Sequence, residues 1–447
     1  MLFRFLQGAG IMNSRWIHQQ FANVNMNDAR LQKRAVMIAQ GCAEHPEKSL
    51  SERFDDWAGL KAAYRFFSNP KATHQTLQRP HYQEVLEKAR WSEELVLFIQ
   101  DGSELLFNSH LWTHGLGPTA DSAGNGLMFH SSLVAKYHES KETEILGLSY
   151  QEAWIRPEKK SVDGSKESTV WLRTLEKSGP PQKNWVSVGD RGNDIYDFLH
   201  GAISMGWKFV VRARHDRKVE IDSVQERLFP WIRQQTSKCK STLFVKANGK
   251  EFSGEVTLEI TWAKAKLLAP GKTDALATEE VTYVRVWCPE RPKLEWLLIT
   301  NLPVENEEDA RKIIEIYRRR WLIEDYHKAL KTGCRIEDNQ LKQASRILAL
   351  FGLVGVIATQ LLAMREHCRL SPITRVEEAI PKRWIMLIEQ RLSVKLETVR
   401  DFWRCLARLG GFIGRKSDGE PGWQTIWKGY TRFQDMLWGA GMFTTCG

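Results

Sequence analysis

Paired cysteines, metal-knuckle spacings, an export leader and internal repeats are all missing from this sequence. The seven cysteines (Cys42, Cys239, Cys288, Cys334, Cys368, Cys405, Cys446) are odd in number, scattered, and form no Cys-x-x-Cys and no close pair with histidine. That argues against a disulfide framework or a structural zinc site and for a reducing compartment, so a cytoplasmic setting is expected. The N-terminal stretch MLFRFLQGAGIMNSRW lacks a long apolar core, and no export signal is expected. Long hydrophobic runs are equally scarce. The single one, Ile347 to Met364, is interrupted only by Thr359 and Gln360. It just reaches membrane-spanning length. It stands alone and follows directly on a polar, charged helix, so a buried core helix is expected, and no membrane partner.

What is present is a normal globular mixture, 42% hydrophobic and 26% charged, over 447 residues, which excludes a wholly disordered or fibrous chain and suits two or three domains. The 64 Lys+Arg exceed the 54 Asp+Glu, giving a net charge of +10, and Trp is abundant at 18. A basic surplus with many indoles favours a polyanionic partner, since indoles serve as core filler and as stacking surfaces for bases.

Residues 1–73 read as a helical head. Asp28 to Ala43 has helical apolar spacing with Arg30, Lys33 and Arg34 on another face, and GLKAAYRFFSNPK stops at Asn69-Pro70. The head is either a solvated bundle or a DNA-binding unit. Residues 74–370 carry a different pattern. Leu95 to Ile99 is a strand buried on both faces, with Asp101 just past its end. Strands over Leu127–Tyr137 and Glu144–Ile155 follow, then a helix Glu167–Lys177, a strand Trp185–Val188 ending on Gly189-Asp190, a helix Asp194–Met205 and a strand Lys208–Arg212. Three strands close enough to pair antiparallel, then alternation of helix and strand, is the order of an RNase H-like mixed α/β sheet. A β-rich insertion is expected to interrupt it over about 216–305. Residues 371–447 read as a helical, Trp-rich unit with 12 Lys+Arg against 8 Asp+Glu.

The stretch IYRRRWLIEDYHKALKTG carries the chemistry. On one regular helix Tyr317, Arg320, Glu324 and Lys331 fall within about 60° of one another, with Leu322, Ile323, Tyr326, Ala329 and Leu330 opposite. Alone, such a stripe is equally a salt-bridged surface. In an RNase H-like sheet, however, the strands that precede Asp101 and Asp190 are neighbours. Two aspartates and a helix-borne glutamate form a hard-oxygen donor set for two Mg²⁺ ions, the arrangement that clamps attacking and leaving oxygens in phosphoryl transfer. His327 and Lys328 are read as structural or DNA-facing, because that mechanism needs no proton shuttle.

These residues resemble the bacterial insertion-sequence-four DDE transposases, in the group around the transposase of transposon five. The signature Tyr-x2-Arg-x3-Glu-x6-Lys occurs without a gap as Tyr317, Arg320, Glu324 and Lys331, with VSVGDRGNDIYDFL around Asp190. AAYRFFSNPK, WKFVVRARH, LEWLLITNLPV and LARLGGFIGRK agree, so the resemblance runs from about residue 20 to about 440. One departure is Gly102-Ser103 after Asp101, where the family usually has Ser or Thr then Thr. The resemblance implies a cut-and-paste transposase acting in the bacterial nucleoid. Asp101, Asp190 and Glu324 would bind two Mg²⁺ (or Mn²⁺) ions; Tyr317, Arg320 and Lys331 would grip phosphates beside a DNA hairpin. Trp296 would stack on a flipped base, and Arg212 and Arg214 would lie next to the DNA ends. It implies double-stranded DNA partners (terminal inverted repeats and target), Arg30, Lys33 and Arg34 contacting the repeats, and a homodimer joined through C-terminal helices that include Trp423, Trp427 and Trp438. A structure-specific nuclease on the same fold, or an inert DNA-binding regulator, are the alternatives.

Overall fold

The computed structural model describes residues 14–444 except 55, 120–123, 139–142, 158–166, 246–253, 270–278, 371–373 and 416–417. The expected domain limit at 371 lies outside the described residues, as do the side chains of Trp423 and Trp438.

Four helices lead in: α1 (Ser14–Phe21), α2 (Ala29–Glu44), α3 (Trp57–Phe67) and α4 (His74–Arg90). Asp28, Asp56 and Thr73 cap the last three by accepting hydrogen bonds from backbone N–H groups of the first turn. The core sheet then begins with β1 (Leu95–Leu106), β2 (Gly117–Pro118), β3 (Asn125–Tyr137) and β4 (Thr143–Trp154). Next come α5 (Val170–Ser178), β5 (Trp185–Gly189), α6 (Tyr196–Ser204) and β6 (Lys208–Arg212). β3 pairs antiparallel with both β1 and β4, while β1, β5 and β6 are parallel neighbours. This is the RNase H-like core.

Alternation along β1 sorts its side chains between two apolar clusters. Val96 and Phe98 join Trp185, Trp207 and Phe209 under α5 and α6; Leu97 and Ile99 join Val186, Val188 and Val210 on the opposite face. β1 is longer than expected. Asp101 sits in mid-strand, paired with Ser131, because β3 continues alongside it for five further residues.

The β-rich segment comprises β7 (Lys218–Ile221), β8 (Val224–Arg227), α7 (Leu228–Gln234), β9 (Cys239–Val245), β10 (Gly254–Leu267), β11 (Glu279–Cys288) and β12 (Arg291–Thr300). It does not form a separate sheet. β12 pairs antiparallel with β6, so the strands run on as β2-β3-β1-β5-β6-β12-β11-β10-β7-β8 in one twelve-stranded sheet, with β4 and β9 attached to β3 and β10.

After β12 the chain forms α8 (Glu307–Arg318), α9 (Trp321–Lys328), a π turn over Ala329–Gly333 and the long α10 (Ala344–Leu370). Asn306 caps α8. α10 is predominantly apolar over Ala344–Ala363, a length that could cross a membrane, yet 78% of that window is buried inside the fold. Short α11 (Val376–Ala379), α12 (Lys382–Leu392), α13 (Val399–Leu409) and α14 (Trp423–Thr444) complete the chain. α13 and α14 cross at Gly410 and Gly429, where a Cβ would come within 2.0 Å of a backbone oxygen of the other segment. Head, core and C-terminal helices share one continuous apolar cluster.

Candidate active site

Strand register and pleat place the site. β1 and β5 pair with Ile99 opposite Val188; two residues on, Asp101 lies beside Asp190. β5 and β6 pair with Val188 opposite Val210, which sets Arg212 next in the row, and Arg212 pairs with Leu298 of β12. Period-two alternation puts Asp101, Asp190, Arg212 and Trp296 on the face of Leu97, Val186, Val210 and Leu298, the face that α8 and α9 cover.

The helical contribution departs from a single regular helix. α8 ends at Arg318, and Arg319, Arg320, Leu322 and Ile323 donate their amides three residues back, a tightened turn that makes a break before α9. Tyr317, Arg320 and Glu324 nevertheless line one cavity of about 370 Å³ with Asp101, Gly102, Ser103, Asp190, Arg191, Arg212 and His327. Lys331 is not among the lining residues. It sits in the π turn, where the amide of Cys334 reaches back five residues to Ala329, and its charge still acts on His327 of the cavity wall.

The carboxylates are held apart by an arginine. Arg320 pairs with Glu324 at 2.5 Å and comes within 3.8 Å of Asp101. Backbone amides hold the aspartates: Gly102 donates to Asp101 Oδ1 at 2.8 Å and Gly192 to Asp190 Oδ1 at 2.7 Å. Burial, and then the charge of Asp190, push the Asp101 carboxyl up to about 7 against the opposing pull of Arg320. Tyr317 is buried and hydrogen-bonded by Arg212, and burial raises its phenol above the ordinary value. Its ring meets Trp296 edge-on at 5.3 Å and 70°. Trp296 also fronts a neighbouring groove of about 240 Å³ with Leu258, Val286 and Arg318.

Among the described residues no group of three His, Cys, Asp or Glu side chains stands ready-closed on a metal ion. The donor set still fits a hard divalent cation: it offers oxygen ligands only, on three acids gathered in one cavity where burial, and then the charge of Asp190, raise Asp101 despite Arg320.

Other residues named from the sequence lie elsewhere. Arg214 is exposed beside the site, its amide bonded to Asp194 Oδ2 at 2.7 Å. Arg30 and Lys33 project from α2 into solvent and Arg34 is half-buried there. Trp427 is buried within its own protomer, stacked on Tyr430 at 5.7 Å, and presents no indole for a partner. Sequence reasoning passed over Arg191, which adjoins Asp190 in sequence, and that adjacency was the available signal.

Three successive matches to known families cover most of the chain. Residues 13–72 match the family described as Transposase DNA-binding, residues 162–361 the Transposase DDE domain, and residues 375–444 the Transposase Tn5 dimerisation domain. The DDE match takes in Asp190 and Glu324 and begins after Asp101. The fold and the matches define a DDE transposase, a family of DNA-cutting enzymes that depend on divalent metal. More narrowly, the chain belongs to the Tn5-like DDE transposases, with the DNA-binding and dimerisation units of that group. Among solved structures the chain is similar to the piggyBac transposase synaptic complex with hairpin DNA, at 9% identity and a TM-score of 0.37, over 98% of this chain and 81% of that one. So distant a likeness carries no argument about the site.

Proposed function

We propose that this chain excises a mobile DNA element by cutting at its terminal inverted repeats and joins the freed 3′-hydroxyls to target DNA, working as a dimer on nucleoid DNA in the cytoplasm. The observation that carries this reading is the meeting of Asp101, Asp190 and Glu324 in one cavity whose other walls are Arg191, Arg212, Arg320 and Tyr317. Asp101, Asp190 and Glu324 would hold two Mg²⁺ ions, with Mn²⁺ an acceptable substitute. When bound, such ions supply the positive charge that favours in-line attack of water or a 3′-hydroxyl at phosphorus.

The remaining work falls to the protein's own side chains. Once the carboxylates are otherwise neutralised, the guanidinium of Arg320 is free to turn from Glu324 to a phosphate, where its fork of donors suits two oxygens. Arg212 and Tyr317 lie on the same wall and steady the neighbouring phosphate of a strand bent into a hairpin; Lys331 and Arg214 act further along the backbone. Trp296, half-buried at the mouth of its groove, offers a face to a base unstacked by that bend. Arg30, Lys33 and Arg34 contact phosphates of the repeat.

The test is incubation of purified protein with Mg²⁺ and DNA carrying the matching inverted repeats. Hairpins on the element ends followed by strand transfer support the proposal. Nicks without hairpins or joining would make the chain a nuclease, and shifted but intact DNA an inert binder.

A further inference from the structure

His327 stands in the cavity wall without a role in the scheme above. It lies on α9 nearly one turn beyond Glu324 and is 8% exposed. Phe129 meets its ring edge-to-face at 5.1 Å and 84°, and Tyr326 packs at 5.7 Å, so aromatic contacts fix the imidazole. Its Nε2 is buried and has no hydrogen-bond partner within the protein. A polar atom buried in that way is costly unless something pairs with it, and the residue that carries it lines the cavity between the carboxylates and the cations.

We propose that Nε2 of His327 donates a hydrogen bond to a non-bridging oxygen of the phosphodiester being cut. The inference rests on the proposed DNA-cutting activity and adds a substrate contact to it. Burial, and then the charges of Lys331 and His130, hold this imidazole down at about 3, so it is neutral at any working pH. It is therefore a directional donor that adds no charge to a wall already holding Arg191, Arg212 and Arg320, and it does not compete with them for the carboxylates. A neutral donor fixed by packing needs no reorganisation as charge builds on the phosphate oxygens in the transition state.

The experiment is single-turnover nicking of end-labelled repeat DNA by the full-length protein. Substrates carry either an ordinary scissile phosphate or one of its two phosphorothioate diastereomers. His327→Phe keeps the aromatic packing and removes the donor; His327→Gln puts an amide donor near the position of Nε2. The expected result is nicking about tenfold slower for His327→Phe at unchanged end binding and melting temperature, with most of the rate restored in His327→Gln. In addition, the sulfur substitution that weakens the contact should slow the wild type more than it slows His327→Phe, since the two changes remove the same bond. Should the Phe variant melt early, His327→Gln against His327→Asn makes the same comparison, because Asn places its amide near Nδ1 instead. Nicking by His327→Phe within twofold of wild type, or sulfur and side-chain effects that simply multiply, overturns the inference and leaves the DNA-cutting reading intact. A wild-type protein that does not nick, like a Glu324→Ala control, removes both.

Discussion

Asp101 shows how the sequence presents a residue and what the fold then does to it. An aspartate after an apolar run was legible as a candidate; its raised carboxyl was not, because that depends first on burial in the folded sheet and then on Asp190, which is 89 positions away. The offset of 89 is itself the register of β1 on β5, Ile99 against Val188, and only the pairing makes it meaningful. Since the folded-state value is about 7 and the ordinary one 3.8, the folded protein holds a proton between those pH values that the unfolded chain lacks. Metal-free stability should therefore fall as pH rises from about 4 to 7, by on the order of 3 kcal/mol, and stay low above that. Asp101→Asn removes the charge, so in EDTA its melting temperature should exceed that of wild type at pH 8, and by less than half as much at pH 5. Added Mn²⁺ should raise the wild-type midpoint and not the variant's. Calorimetry at the two pH values checks this, and a variant less stable than wild type at pH 8 would contradict it. Arg320 and Tyr317 allow a second test at this scale. A first nick needs the metal site alone, whereas a hairpin needs a bent strand, which costs roughly a few kcal/mol. Arg320→Ala should lose hairpin formation about tenfold more than nicking, and Tyr317→Phe somewhat less; a time course resolving nick, hairpin and excised product that shows equal slowing would assign both to general positioning.

At the scale of elements, the strands were legible and the breaks between helices were not. Continuous or alternating apolar runs marked β1, β3, β5 and β6 because burial on two faces leaves that pattern in any surrounding. The turn at Arg319–Arg320 and the π turn at Ala329–Gly333 leave no such mark, for both interrupt sequence that is helical by composition. What seats α9 against the sheet is a buried polar network equally invisible in the sequence. Gln151 on β4 donates to Ser131 Oγ and Tyr326 Oη, both at 2.8 Å, and accepts from Gln78 at 2.9 Å. Tyr326 in turn donates to the carbonyl of Gly355 on α10 at 3.2 Å. Gly355 is required there, since a Cβ would fall 2.6 Å from Gln78 Nε2 and 2.9 Å from Gln151 Oε1. Gln151→Leu should cost about 2–3 kcal/mol by leaving several buried groups unpaired, and Gly355→Ala about 1–3 kcal/mol by overpacking. Denaturant unfolding that shows either within 0.5 kcal/mol of wild type, an order-of-magnitude threshold for a neutral change, would mean the network does not hold α9.

For the whole molecule, the RNase H-like core and helical flanks followed from element order, while the single twelve-stranded sheet did not. Nothing in Trp296 to Thr300 says that this strand pairs with β6 and so continues the core; edge pairing is a property of register and geometry between distant segments. That continuity sets Trp296 against Tyr317. A molecule of net charge +10 with cations on α2 and in the cavity should bind repeat DNA with steep salt dependence. Replacing Arg30, Lys33 and Arg34 together by alanine should reduce the slope of log affinity against log salt by about 2–3, and an unchanged slope would take these residues off the DNA. The central claim, however, is that Asp101, Asp190 and Glu324 act as one metal-dependent cutting centre. Single-turnover cleavage of end-labelled repeat DNA by Asp101→Ala, Asp190→Ala and Glu324→Ala measures it most directly, with end binding followed in parallel. The account predicts that each variant binds as the wild type does and cuts at least a thousandfold more slowly in Mg²⁺ or Mn²⁺. Cutting within about tenfold of wild type by any of the three would contradict it.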